Sequence, residues 1–324
     1  MDRPKRKRVV VVRPEDKDLA ERLQAGLSSF DSQCRAIPGV KSSANRDVFV
    51  EQLIESLRRI KYISVIDSRK LSHSCLDPSS NAFDPIKAAV IRRREGRTDE
   101  AFWLVFLSVH FGKHRLDGWR LTQDIYGRLG EGVPWDWAET SAHPQRFRQW
   151  LADHQSRLKG DGITRRFGNH RKYQSLDAHK PVGTGAAFEG YIEWVGPHHI
   201  HQELFEKSLR RCGHDPKVAF DDLYRSMDVV VSFGRTARFD YLTMVGKLGL
   251  APIEPGSTYM LGATGPLLGA RLLFGGTTDA ALSCSQLEAW LVELGSHLGV
   301  GMQILEDGLC NWQKSPERFR RFRG

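Results

Sequence analysis

The run from Ala101 to Phe111 leaves a folding chain little choice. Its eleven positions hold phenylalanine three times, leucine and valine twice each, and Trp103, with only Ser108 and His110 polar. A helix built from it is apolar nearly all round, has no face to give to water, and must be covered on every side. Thr98, Asp99 and Glu100 stand just ahead, a capping hydroxyl followed by acids in the first turn, where the helix dipole favours negative charge. The run therefore predicts the buried central helix of an α-helical domain. It leaves at His110-Phe111-Gly112-Lys113-His114, where polar groups can emerge into a cleft.

The other patterns are helical too. Asp47 opens a stretch with Val50, Leu53, Ile54, Leu57 and Ile60 on one face, Trp119 to Leu129 is amphipathic, and Asp215-Pro216 caps a helix carrying Phe220, Leu223, Tyr224 and Met227. Phe239, Leu242, Val245 and Leu248 recur at helical spacing up to Gly249, a C-cap glycine. Gly262-Ala263-Thr264-Gly265 makes a turn, and Pro266 suits the first turn of the next helix. Ser283 and Gln286 form a capping box, and Met302 to Lys314 is the last helix, with Asp307, Asn311 and Lys314 sharing one face. Only Tyr62 to Ile66, rich in β-branched residues, reads as a short strand, so the expected fold is mostly α. The polar stretch Ser72–Ser80 and the turn at Asp84-Pro85 place a boundary between a partly helical N-terminal extension, 1–82, and a main domain, 83–324, with its hairpin at 257–276.

With 48 Lys and Arg against 39 Asp and Glu, the 324-residue chain carries a formal charge of +9, which favours an acidic partner such as nucleic acid. A helix starting at the Gly262–Gly265 turn offers unpaired N–H groups and a positive dipole end to a DNA phosphate, with Gly262, Thr264, Gly265 and Arg271 as the contacts there and Arg235 and Arg238 as further phosphate contacts. The basic run Lys5–Arg8 is a further site for phosphate or simply a solvated end, and the tail from Arg318 is basic with interleaved aromatics. Gly183-Thr184-Gly185 lacks the last glycine of a dinucleotide loop, Phe188 standing in its place, and no P-loop is present, so no nucleotide cofactor is expected. His198, His199 and His201 with Cys212 fit no zinc spacing; a solvated histidine-rich loop and no metal are expected. Five scattered cysteines without CxxC point to reduced thiols in a cytoplasm, and no apolar run is long enough to span a bilayer.

Several local motifs together carry a resemblance. They are Phe83-Asp84-Pro85, Asp99 to Trp103, His110 to Lys113, Phe167 to Tyr173, Phe233-Gly234-Arg235 with Arg238 to Leu242, Gly262 to Pro266, and Glu306-Asp307 with Cys310-Asn311-Trp312. Over about Asp47 to Lys314 the chain resembles the α-glutamyl/putrescinyl thymine pyrophosphorylase family, in particular its third clade. The resemblance implies a helical core like that of the helix-hairpin-helix DNA glycosylases, and enzymes that build or excise hypermodified phage pyrimidines. Leu261 to Pro266 is similar to the glycosylase hairpin, although Gly262 replaces its proline and Ala263 its first glycine. The glycosylase aspartate is not found at its usual distance, because Asp279 falls too early.

A glycosylase flips the base into a pocket and uses a carboxylate to activate water or to stabilise the oxocarbenium-like sugar. The candidate acids are Asp307, Glu306 and Asp240, the last following Arg235 and Arg238 closely enough for these cations to keep it ionised or to hold it in a purely structural ion pair. Asn169, His170, Arg171, Lys172 and Tyr173 form a donor-rich loop able to read a base or hold phosphate, or else tied to its own domain. Asn311, His110 and Lys113 complete the candidate pocket, Lys113 also being placed for a Schiff base. The expected function is excision of a hypermodified pyrimidine, such as glucosylated hydroxymethylcytosine, from double-stranded phage DNA in antiviral defence. A base-modifying transferase and a non-catalytic DNA-binding module are the alternatives; no membrane and no obligate protein partner are expected.

Overall fold

The computed structural model describes residues 13–321. Among them run fourteen α-helices and no strand, so the chain is mostly α as expected. The basic run at Lys5–Arg8 and the end of the tail from Phe322 lie outside the described residues. The helices are α1 (Lys17–Gln33), α2 (Ser43–Ser68), α3 (Pro85–Arg94), α4 (Thr98–Phe111), α5 (Arg120–Tyr126), α6 (Trp137–Ala142) and α7 (Pro144–Gly160). There follow α8 (Thr184–Val195), α9 (His201–Arg211), α10 (Pro216–Ser226), α11 (Arg235–Lys247), α12 (Gly265–Gly275), α13 (Cys284–Leu298) and α14 (Met302–Trp312).

The chain packs as two compact units, and the division is not the one at residue 82 that the loop signals predicted. Of the described residues, those up to Tyr62 and those from Pro255 onward form one unit, and Ile63–Glu254 form the other. The reason is burial. Leu23, Leu27 and Phe30 of α1 and Phe49 and Leu53 of α2 share one core with Leu273, Leu291, Leu305, Leu309 and Trp312, so the N-terminal helices are half of a unit completed by the C-terminal three. Tyr62–Ile66 is the second departure. These residues continue α2 as helix, since each residue added to an existing helix gains a hydrogen bond without a new nucleus.

In the first unit the glycines of α12 set its closeness to α14. A side chain at Gly265 would stand 2.7 Å from Cys310 Sγ, and one at Gly269 would meet the backbone of Leu309. The capping box at Ser283 and Gln286 forms as expected.

The second unit is organised around α4, buried from Glu100 to Ser108 and again at His110 and Phe111. Its aromatic rings interlock with those of α8 and the segment before α11: Phe106 stacks on Tyr191 at 3.9 Å between centroids, and on Phe233 at 4.9 Å. Thr98 is the first helical residue and makes no capping hydrogen bond. The acid beside it is held differently. Glu100, 5% exposed, accepts from the Tyr126 hydroxyl at 2.8 Å and from the Trp137 N–H at 2.7 Å. Burial pushes its carboxyl up to about 7 although both bonds favour the ionised form.

Candidate functional site

In the second unit the motif at the end of α4 and the donor-rich loop are one construction. Gly112 ends α4 with φ of +69°, and the Phe111 carbonyl accepts from the Gly168 N–H at 2.7 Å. The two glycines meet backbone to backbone: a Cβ on Gly168 would lie 2.8 Å from the Gly112 carbonyl carbon. A 3-10 turn over Asn169–Arg171 follows. Arg171 is 7% exposed; its Nε donates to the His110 carbonyl at 3.2 Å and its Nη2 to the Ser232 carbonyl at 2.8 Å. Its guanidinium also lies 5.1 Å from the centre of the Phe233 ring. Burial lowers its pKa to about 10 against the opposing charge of Asp240, so it remains a cation at neutral pH. Anchored by this side chain and by the glycine contact, the turn presents Asn169, His170, Lys172 and Tyr173 outward, Tyr173 being 89% exposed.

His110 does not emerge into a cleft. It is 1% exposed, stacked against Phe106 at 5.7 Å and Phe233 at 6.3 Å. The Thr184 hydroxyl donates to the Ser175 carbonyl at 2.9 Å, so its contact with His110 Nε2 at 3.1 Å requires that nitrogen to be the donor. Nδ1 is then bare, and it is buried without a partner. Burial and the neighbouring Arg171 hold the His110 pKa well below 6.5, so the ring stays neutral. Lys113, one turn on, is exposed, its ammonium 5.7 Å from the Trp119 ring centre.

Helix α11 brings the remaining candidates of this unit. Arg235 is 9% exposed and lies over Phe239, while Arg238 pairs with Asp228 at 2.9 Å and lies over the Tyr224 ring. Both arginines, expected at phosphate, are turned onto rings of their own unit. Asp240 is exposed and within electrostatic reach of Arg171. Its neighbour Tyr241 ends a buried chain that spacing did not reveal. Asp99 accepts from the His201 N–H at 2.7 Å and faces His201 Nδ1 at 2.8 Å; Nε2 lies 2.7 Å from the Tyr191 hydroxyl, which lies 2.8 Å from that of Tyr241. His201 is thus no part of a solvated loop: it is fully buried, with its ring stacked on Phe102 at 4.8 Å. Burial lowers its pKa although Asp99 opposes this.

The other candidates lie in the first unit. Asp307 is held between Arg59, whose Nε donates to Oδ2 at 3.2 Å, and Asn311, whose Nδ2 donates to Oδ1 at 2.9 Å. Lys314 donates in turn to Asn311 Oδ1 at 3.2 Å, so the polar strip read along α14 is a connected network. Glu306 is half-buried beside it. The turn before α12 closes with the Ala263 N–H on the Met260 carbonyl at 2.9 Å, and Gly262 takes the positive φ, +77°, that a side chain would resist. No side chain caps α12 at Thr264. Arg271 is half-buried, with Nε unpaired among the described residues. The candidates therefore form two groups, one on each unit. Among the described residues no group of three His, Cys, Asp or Glu is placed to hold a metal, and no helix is long and apolar enough to cross a membrane.

Neither a curated protein nor a solved structure matches the chain. The family model for alpha-glutamyl/putrescinyl thymine pyrophosphorylase, clade 3, matches residues 44–324, which takes in all of the residues just described. The match spans well over half of the chain, and the chain belongs to this family.

Proposed function

We propose that the protein is a DNA N-glycosylase that hydrolyses the N-glycosidic bond of a hypermodified pyrimidine in double-stranded phage DNA. The observation that carries this reading is the anchored turn. Arg171 is buried and clamped to two carbonyls, while the amide, imidazole, ammonium and phenol of Asn169, His170, Lys172 and Tyr173 face solvent. A rigid root under an exposed, donor-rich and cationic tip is the arrangement that phosphate and unstacked bases require. The net charge of +9 and the uncapped start of α12, where Gly262, Thr264 and Gly265 offer N–H groups, supply further phosphate affinity.

Asp240 is the carboxylate proposed to act. It is exposed, adjoins the buried Tyr241, and feels the charge of Arg171, which favours its ionised form. An ionised carboxylate stabilises the oxocarbenium-like sugar as the bond from C1′ to the base nitrogen breaks. Water then gives its hydroxyl to C1′ and its proton to the departing base. Asp307, the first choice from spacing, has its carboxylate engaged by Arg59 and Asn311, which suits a structural role.

The family's description favours a second reading, transfer with loss of pyrophosphate from an activated pyrimidine. The two differ in product. Pure protein incubated with unmodified, hydroxymethylated and glucosylated phage DNA should release the modified base and leave alkali-labile sites. A mass gain that requires an activated base and an amine, without release, would replace excision by transfer. Binding without either product would leave a DNA-binding module.

A further inference from the structure

A cleft of about 560 Å³ opens in the second unit between the end of α7 and the segment leading to the anchored turn. That volume falls within the ~300–1,000 Å³ common for small-molecule sites. Its lining includes the apolar Leu121, Leu158 and Phe167 and the polar Thr164, Gln174 and Ser175. Its arginine is already paired. Arg165 is 2% exposed at its side chain and pairs with Asp124 at 2.6 Å and with Asp161 at 2.7 Å. Lys159, which also lines it, is within electrostatic reach of Asp177 but makes no ion pair with the described residues. The side-chain amide of half-buried Gln174 and the hydroxyl of exposed Thr164 make no hydrogen bond to the described residues. The cleft thus combines an uncommitted amide and hydroxyl with aromatic and aliphatic lining, its arginine being paired with two aspartates. This is the chemistry that takes a neutral, hydroxyl-rich group, its C–H face on the ring and its hydroxyls on the amide.

The cleft is also tied to the candidate site. The Ser175 carbonyl accepts from Thr184, which holds His110, and the Phe167 ring stands 6.1 Å from that of His110. Gln174 follows directly on the anchored turn, its N–H donating to the Arg171 carbonyl at 2.9 Å.

We propose that this cleft is the specificity pocket for the substituent of the modified base, and that the substituent is neutral and sugar-like, with Gln174 and Thr164 as its hydrogen-bonding residues. This rests on the reading of the protein as an enzyme acting on modified DNA bases. The test uses the full chain, Gln174→Leu, and Thr164→Trp, which fills the cleft from an exposed position. Each variant is paired with glucosylated and with merely hydroxymethylated DNA. The expected result is a fall of about tenfold in kcat/KM on glucosylated DNA only, as expected for hydrogen bonds lost from one amide. Equal falls on both DNAs, or no change on either, would overturn the pocket. Calorimetric titration with free glucosylated 5-hydroxymethyl-2′-deoxycytidine separates this from failure of the reaction. Binding that weakens about tenfold in Gln174→Leu supports the pocket even if no DNA is cleaved. No binding, binding indifferent to both variants, or preference for putrescine or glutamate over the glucoside overturns it.

Discussion

Gly168→Ala is the most direct test of how the site is held. Gly168 has φ of −57°, which alanine adopts freely, so the whole effect is steric. The new Cβ would stand 2.8 Å from the Gly112 carbonyl carbon, 2.9 Å from its Cα and 3.0 Å from the Lys113 nitrogen. All three are backbone atoms, and none can rotate away. Since carbon atoms pack at about 3.5–4.0 Å, the two segments must part by roughly 0.5–1 Å. That separation breaks or weakens the 2.7 Å bond from the Gly168 N–H to the Phe111 carbonyl. Overpacking costs about 1–3 kcal/mol and a lost backbone hydrogen bond about 0.5–1.5 kcal/mol, giving about 2–4 kcal/mol together. For a unit of this size, thermal unfolding should occur roughly 4–16 °C lower. The control is Gly160→Ala, where a Cβ meets nothing within 4 Å; it should be neutral or slightly stabilising. Displacing the turn by this amount should also lower turnover on modified DNA by about 10²-fold. Urea or thermal unfolding of the two variants decides the matter. Gly168→Ala unfolding within about 0.5 kcal/mol of the wild type would refute the claim that the glycine contact fixes the loop.

Four further outcomes follow from named contacts. Glu100 has a folded pKa of about 7 against an ordinary 4.5, so the folded state keeps the proton longer; the stability it contributes is full below about pH 4.5 and lost as pH rises through about 7. Denaturation midpoints should fall across that window by an amount on the order of 3 kcal/mol in total, and Glu100→Gln, whose amide can accept from Trp137 and donate to Tyr126, should flatten the dependence. Asp240→Asn should lower excision by about 10²–10⁴-fold, whereas Asp307→Asn should destabilise the first unit and leave per-molecule activity near wild type; the reverse pattern in steady-state kinetics would exchange their roles. Arg171→Lys cannot reach both carbonyls and should lower stability by about 1–3 kcal/mol, read by urea unfolding, with weaker DNA binding by the turn. Nitrogen NMR should find the His110 proton on Nε2 and no protonation near pH 6.5, and Thr184→Val should perturb that signal; a ring titrating near 6.5 would contradict its burial.

What was legible in the sequence was whatever depends on local periodicity or on a short cap. The apolar run of α4, the capping box at Ser283 and the glycine turn ahead of α12 each announce themselves within a few residues, and each is found. The units were not legible, because their cores join Phe30 and Phe49 to Leu305 and Trp312, contacts that no local window contains. Tyr62–Ile66 misled for a related reason: β-branched preference is weak and yields to a helix already under way. His201 looked like one member of a solvated histidine group, and nothing next to it in sequence signals that Asp99, 102 positions earlier, is its partner.

The acids show where spacing stops being informative. On α14, Asp307 and Asn311 share a face four residues apart, a pattern that fits a catalytic strip and an internal hydrogen bond equally well. What separates the two is Arg59, 248 positions away, which takes the carboxylate into an ion pair. Asp240 is the mirror case. Its sequence neighbour Arg238 pairs with Asp228, and Arg171, from the anchored turn, adds its charge to Asp240 across the fold. Arg171 is the side chain that also clamps the exposed turn to the end of α4. One buried guanidinium thus couples the position of the exposed turn residues to the ionisation of the proposed carboxylate. Losing it should therefore weaken binding and catalysis together, whereas the loss of Lys172 or Tyr173 alone should weaken binding only.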